Sequence, residues 1–530
     1  MNTNACRALV LAAGLLLGGA ACTDLTTEPR STVSSGTVFS DPASYRAFLA
    51  KLYVGLATTG QRGPDGAGDV AGIDEGFSQY LRQLWQLQEL PTDEAIIAWG
   101  DAGLPELNTM GWGTNNQFVT ALYYRIFFQI ALANEFMIET SDERLNTRGA
   151  SSGLRQTLQG YRAEARFLRA LSYYHGLDLF GNIPVVTELN RNGAEPPQQS
   201  TRAEVFAFVE SELLDIMDDL PAIGQAEYGR ADQGAAQMVL AKLYLNAQVY
   251  TGAPRYNEAR AAVEAVINSG AYTLDDNYQH LFLADNHTSP EIIFPVPFDG
   301  MRTQTWGGMT YLVHAAVGGS LDAAQYGING GWWGLRTRPE AYTLFPGGAA
   351  GADRRAAYMV PQSSVFITNV GEFTQGVAAP KFRNVTSAGA PGSDQNHPDT
   401  DFPMFRLGDA YLMYAEAFLR GGGGTQALAL QYVNALRTRA YGNTSGNITA
   451  AQLTLDFILQ ERARELLWEA HRRQDLVRFG RFAGGAYVWN YKGGVPAGQA
   501  TAAHLDLYPI PQAELLANPN LDQNPGYPQN

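Results

Sequence analysis

Apolar residues recur at i, i+3 and i+4 through most of the chain. In DPASYRAFLAKLYVGLA (41–57), Tyr45, Phe48, Leu49, Leu52 and Leu56 share one helical face behind a capping Asp41. The same period predicts helices over 118–138, 151–179, 202–219, 231–250, 255–268, 406–420, 425–440 and 452–479. Neighbouring segments read as helix pairs. In 234–250 and 255–270, Ala236, Ala241, Ala259 and Ala262 leave room for two helices to approach closely. Between 271 and 405 the pattern changes to Gly, Pro, Asn, Thr and aromatics, with short strand-like pieces such as EIIFPVPF (291–298). A Gly-rich stretch, QRGPDGAGDVAG (61–72), interrupts the early helices.

The helix pairs resemble tetratricopeptide units, although no strict period of about 34 residues emerges. The fold class that follows is mostly α: a tetratricopeptide-like helical repeat scaffold over 41–270 and 406–481. A large irregular, loop-rich insertion with short strands spans about 271–405. Binding residues favour loops held by rigid elements, so function is expected in the insertion, with a contribution from 61–115. We read 41–530 as a single domain.

The first 21 residues, MNTNACRALVLAAGLLLGGAA, place one positive charge at Arg7 before a short apolar core (8–17) and small residues. That is an export signal, too short to span a bilayer. Cys22 follows Gly19-Ala20-Ala21 and resembles the lipidated cysteine of a bacterial lipobox, with Gly19 where a Leu is usual. Residues 22–40 are polar and rich in Ser and Thr, as suits a leash.

The 530 residues are 45% hydrophobic and carry a net charge of −15, which argues for a globular body and against a nucleic-acid partner. Both cysteines, Cys6 and Cys22, lie in the first 22 residues. The body therefore has no disulfide, thiolate nucleophile or Cys-ligated metal. There is no HExxH, GxSxG or GxxxxGK[ST]. Asp74-Glu75 and Asp93-Glu94 are the carboxylate pairs a surface glycosidase would need, but adjacent acids are common in an acidic chain. The alternating charges of ERARELLWEAHRRQDLVRFGR (461–481) are read as intramolecular ion pairs.

Five phrases occur in order: AEARFLRALSYYHGLDLFGNIPVV (163–186), GRADQGAAQMVLAKLYL (229–245), FRLGDAYLMYAEAFLR (405–420), the 461–481 phrase, and LYPIPQAELLANPNLDQNPGY (507–527). With Cys22 they resemble the SusD/RagB family of nutrient-binding outer-membrane lipoproteins over nearly the whole mature chain. The resemblance implies tetratricopeptide-like helices and a lipid anchor on Cys22 at the exterior of the outer membrane. It also implies a SusC-like TonB-dependent transporter as partner, oligosaccharide or peptide cargo, and no enzymatic activity or cofactor. Within the phrases, Arg166, Arg169, Glu416, Glu461, Glu465 and Arg472 are expected as partly buried ion pairs.

Sugar rings offer weakly apolar C–H faces that a flat indole or phenol covers, while Asn, Asp and Arg bond the hydroxyls. Trp85 and Trp468 are expected in the core. Trp99, in AWGDAGLPELN (98–108), and Trp332-Trp333, in NGGWWGLR (329–336), have glycine-rich surroundings that expose a side chain. Adjacent residues point apart, so at most one of the pair faces ligand. AGIDEGFSQYLRQLW, TDEAIIAWGD and GGWWGLR resemble the starch-binding branch of the family, whose three-aromatic arc maps onto Trp99, Trp332 and Tyr311, with Trp306 next in line for the third place. Asp74, Arg82 and Asn108 are the expected hydroxyl partners. The cargo that follows is a starch-like α-glucan; peptide or another glycan is the alternative. A surface protein without cargo would instead scatter these aromatics. The resemblance also extends to relatives that hold a calcium ion, for which Asp275, Asp276 and Asp285 could supply part of a site; no metal site is assigned.

Overall fold

The computed structural model describes residues 38–64, 66–187 and 195–529. The export signal, Cys22 and the leash up to residue 37 lie outside the described residues. The helices that build the scaffold are α1 (Ala43–Val54), α2 (Tyr80–Glu89), α3 (Gln117–Glu139), α4 (Ser152–Phe180), α5 (Arg202–Asp215), α6 (Gln233–Leu245), α7 (Tyr256–Asn268), α8 (Gly308–Ala315), α9 (Leu407–Leu419), α10 (Gln426–Tyr441), α11 (Leu455–Glu465) and α12 (Arg472–Arg478). Their starts are chemically marked. Asn116, Ser151, Thr201, Asp232, Thr425 and Thr454 each accept a backbone N–H of the first turn. Asp41 accepts from Ala43 N and so fixes the entry to α1.

Successive helices pack as pairs, α3 on α4, α4 on α5, α6 on α7, and α9 on both α10 and α11. Helix α7 also packs on α9, although the whole insertion lies between them in sequence. The excursion leaves and returns through one antiparallel stem, β2 (Ile292–Val296) against β4 (Phe402–Arg406), whose ten residues are all buried. The insertion is more structured than a loop: α8 within it is wholly buried and packs on α2.

Two predicted helices are interrupted, 231–250 at Asn246 and 452–479 more sharply. The 452–479 segment splits into α11 and α12, and Trp468 and Ala470 in the break adopt left-handed φ of 63° and 61°. Carboxylates from the segment 89–94 take the backbone donors the break exposes: Glu94 Oε2 accepts from Trp468 N (3.2 Å) and Glu89 Oε1 from His471 N (3.0 Å). Trp468 and Trp85 remain core residues, with no exposure, and Trp85 Nε1 donates to Trp468 O at 2.8 Å.

The charged residues of the family phrases are paired inside the protein. Glu465 accepts from Arg355, Arg406 and Arg439, and Arg406 also binds Glu291 and Glu469. Glu461 accepts from Arg355, Arg437 and Arg464, Arg478 binds Glu416, and Arg166 and Arg169 both bind Glu212. Burial alone would raise the Glu461 carboxyl, but its three arginines outweigh that and hold it at about 2.

Removing one partner from such a cluster strands the others. Glu465→Gln is expected to cost about 3–5 kcal/mol, read from the denaturant midpoint. The depressed Glu461 carboxyl means that its contribution is complete above the unfolded pKa, about 4.3, and is lost as pH falls toward 2. Glu461→Gln should therefore flatten the acid limb of a pH–stability curve; an unchanged limb would show that the cluster does not carry it.

Candidate functional site

Two short strands bring distant aromatics together. Ile96–Ile97 (β1) pairs antiparallel with Leu335–Arg336 (β3), and Ala98 N donates to Gly334 O at 2.9 Å. Trp99 thus meets the 332–334 turn, where its Nε1 donates to Trp333 O at 2.6 Å. Gly334 has φ +113°, and a Cβ there would sit 2.5 Å from Trp99 Nε1, so glycine is required on both counts.

Trp332 is fixed from α8. Its N–H donates to His314 O (2.8 Å), and its ring stacks on the His314 imidazole at 4.9 Å and 25°. Both His314 ring nitrogens face carbonyls, Gly330 O at 2.7 Å and Asn396 O at 2.9 Å. Burial lowers the His314 pKa more than these carbonyls raise it. Trp306 is fixed by Glu75, whose buried carboxylate accepts from Trp306 N (3.0 Å), Thr305 Oγ1 (2.7 Å) and Thr59 Oγ1. The Trp306 ring rests on His397 at 4.9 Å.

The result is a row of three half-buried indoles. Ring centroids lie 6.3 Å apart from Trp99 to Trp332 and 6.2 Å from Trp332 to Trp306. The row stands on the core through a continuous series of ring contacts: Trp99 to Tyr311 (5.8 Å), Tyr311 to Trp85 (5.9 Å) and Trp85 to Trp468 (5.6 Å).

This arrangement corrects two expected site residues. Tyr311 has no exposed surface, because α8 docks on α2 and turns the ring onto the Arg82 guanidinium, 4.3 Å away. It supports the row, and Trp306 takes the third place at the surface. Burial pushes the Tyr311 phenol up to about 12. Asn108 is also buried; its amide clasps the Ile97 backbone, accepting from N at 3.1 Å and donating to O at 2.7 Å. It holds β1 rather than facing solvent.

Arg82 is 2% exposed and gives one bond, Nη1 to Gly76 O at 3.2 Å, while its Nε and Nη2 have no protein partner. Burial lowers its pKa against the attraction of Tyr311, Asp101 and Asp74. Asp74 is exposed on the adjoining turn. Trp333 lies against Gly318 and Gly319, and its carbonyl anchors Trp99.

Of the carboxylates named for a glycosidase, Glu75, Asp93 and Glu94 are buried and engaged elsewhere, and only Asp74 is exposed. Asp93 is 1% exposed and bonded to Arg472 and Tyr487. Asp275 binds His280 and Asp285 binds Ser387, and among the described residues no group of three His, Cys, Asp or Glu side chains is disposed to hold a metal ion. The roles of Glu75, His314 and His397 were not anticipated. They act on rings at least 18 residues away in sequence (Trp332 − His314), so no local pattern marks them.

Residues 354–527 match the family described as "SusD family", and residues 83–245 match one described as "Starch-binding associating with outer membrane". The chain is 34% identical to the starch-binding protein SusD of Bacteroides thetaiotaomicron, covering 90% of this chain and 91% of that protein. Its fold is similar to a SusD homologue of the same organism, with a TM-score of 0.74 at 20% identity over 94% of this chain and 99% of the other. It is also similar to a laminarin-binding SusD-like protein, with a TM-score of 0.69 at 23% identity over 92% and 99%.

The geometry at Gly334 makes a prediction independent of any ligand. Gly334→Ala should displace the Trp99 indole and lower stability by about 1–3 kcal/mol, the usual cost of a forced backbone conformation. Intrinsic tryptophan fluorescence and a melting curve together check it, and an unchanged emission maximum with an unchanged midpoint would refute it.

Proposed function

The chain belongs to the SusD family, and from that premise we propose that it is a cell-surface glycan-binding lipoprotein. In this reading it captures a starch-like α-glucan and passes it to a SusC-like TonB-dependent transporter in the outer membrane, held there by lipid on Cys22. It is a binding protein and not an enzyme: the relatives carry binding descriptions, and the carboxylate pair Asp93-Glu94 is buried.

The observation that carries the reading is the row Trp99, Trp332 and Trp306, half-buried, about 6 Å apart and held from beneath. Indoles that already sit in place lose little freedom when a sugar ring covers them. Exposed Asp74 supplies an acceptor for sugar hydroxyls. The unpartnered N–H groups of Arg82 supply donors, and such groups are costly to leave unmade in a buried setting. Binding then needs no covalent step: C–H faces meet the indoles and the hydroxyls meet Asp74 and Arg82.

Titration calorimetry with maltoheptaose, laminarin oligosaccharides and a peptide pool tests cargo class. Maltoheptaose is expected to bind, and peptide binding without any glycan binding would overturn the proposal. Loss of one stacking face is worth about 1–3 kcal/mol by analogy with base stacking, so Trp332→Ala or Trp306→Ala should weaken binding about 5- to 150-fold. Neither should lower the melting temperature as far as Trp468→Ala, whose loss from the core costs about 3–5 kcal/mol. Weakened sugar binding from Trp468→Ala at normal stability would invert the assignment of site and core.

A further inference from the structure

Three of the large apolar side chains left in solvent gather at one place. Tyr228, Met301 and Val54 are 46%, 63% and 37% exposed. Tyr228 and Met301 line an open cleft of about 550 Å³ with Asp299, Arg302, Ser393 and Asp399, and Tyr228 and Val54 line a second hollow of about 260 Å³ that shares Tyr228 and Pro297 with the first. The first volume falls within the range of small-ligand sites.

Tyr228 is exposed but not free. Its hydroxyl donates to Asp401 Oδ2 at 2.5 Å. Asp401 is 3% exposed, accepts from Phe298 N at 2.7 Å through its other oxygen, and exchanges backbone bonds with the Asn286 amide. The next residue, Gly229, has φ +81° and lies so close to the Pro297 ring that a Cβ would be 2.7 Å from it. A surface phenol held by a buried carboxylate and a fixed turn is preorganised to accept a flat partner on its ring. The neighbouring polar groups, Asp299, Arg302 and Ser393, are those that bond hydroxyls.

The cleft shares a wall with the indole row. Gly300, at the cleft, abuts the His397 carbonyl with no room for a Cβ. The His397 ring carries Trp306, and Asn396 O faces His314 beneath Trp332. The segment 393–399 therefore has the cleft on one side and the indole row on the other.

We propose that the Tyr228–Met301 cleft is a second carbohydrate subsite, which takes the continuation of a long glucan chain whose first sugars lie on Trp99, Trp332 and Trp306. The proposal rests on the glucan-binding reading above. A chain that reaches both places binds the second as an intramolecular event, so long chains gain affinity that short ones lack.

The test compares maltotriose with a long-chain soluble amylose in calorimetric titrations of the wild type, Tyr228→Ala, Met301→Glu and Trp332→Ala. For amylose, Tyr228→Ala is expected to weaken binding by about 5- to 150-fold, the range for one lost stacking face, and Met301→Glu, which puts a charge in the cleft, is expected to weaken it as well. For maltotriose both should match the wild type. Trp332→Ala should weaken both ligands. Met301 is a solvent-exposed side chain, so its variant reports on the cleft even if Tyr228→Ala destabilises the Asp401 turn. Wild-type amylose binding that Trp332→Ala weakens but neither cleft variant alters would overturn the second subsite and leave the primary reading intact. No glucan binding by the wild type would overturn both.

Discussion

The fold depends on one buried set of charges centred on Glu465. Its carboxylate accepts from Arg355, Arg406 and Arg439, which come from the insertion, the stem strand β4 and helix α10. Arg406 then reaches Glu291 and Glu469, and Lys381 of the insertion reaches Glu469. Ions this deep lose nearly all hydration, and the loss is offset only when every group finds its partners in good geometry. The cluster therefore does more to select one arrangement than to add net stability. A displaced insertion would leave several unpaired charges in the interior. This is how an irregular segment of well over a hundred residues (271–405) is held in register with the helices, since among the described residues its strands pair with the earlier chain through the two-residue β1–β3 ladder, while the β2–β4 stem closes the segment on itself.

A second set of carboxylates does the same for the site. Glu89 and Glu94 take the backbone N–H groups of the break between α11 and α12. That break turns Trp468 onto Trp85, and the ring contacts continue through Tyr311 to Trp99. Glu75 fixes the backbone of Trp306. The surface indoles are thus the outer end of a packed aromatic column, with their orientations decided in the core. Rigid rings cost little to order on binding, which is what a recognition surface built from single faces needs. Tyr228, pinned by Asp401, follows the same rule at a separate place.

The sequence by itself determined the scaffold. The 3.6-residue period and the capping residues mark helices that the fold realises within a few residues, because amphipathic patterning is local information. It also marked Trp99 and Trp332 as surface residues through their glycine neighbours, and the charged phrase around Glu461 as internal ion pairs. The tertiary structure decided the rest. The period running through 452–479 gave no sign of a break, since the break is stabilised by Glu89 and Glu94 from more than 370 residues away (Trp468 − Glu94 = 374). Tyr311 and Trp306 are equally suited to a sugar face by composition. Only the docking of α8 on α2 buries the first and leaves the second half-exposed. Asn108 and Arg82 likewise differ in what their polar atoms are left to bind, one satisfied by the Ile97 backbone and the other holding free N–H groups. Exposure and hydrogen-bond satisfaction belong to the packed chain, so residue type and spacing could nominate these side chains but only the folded environment could assign them.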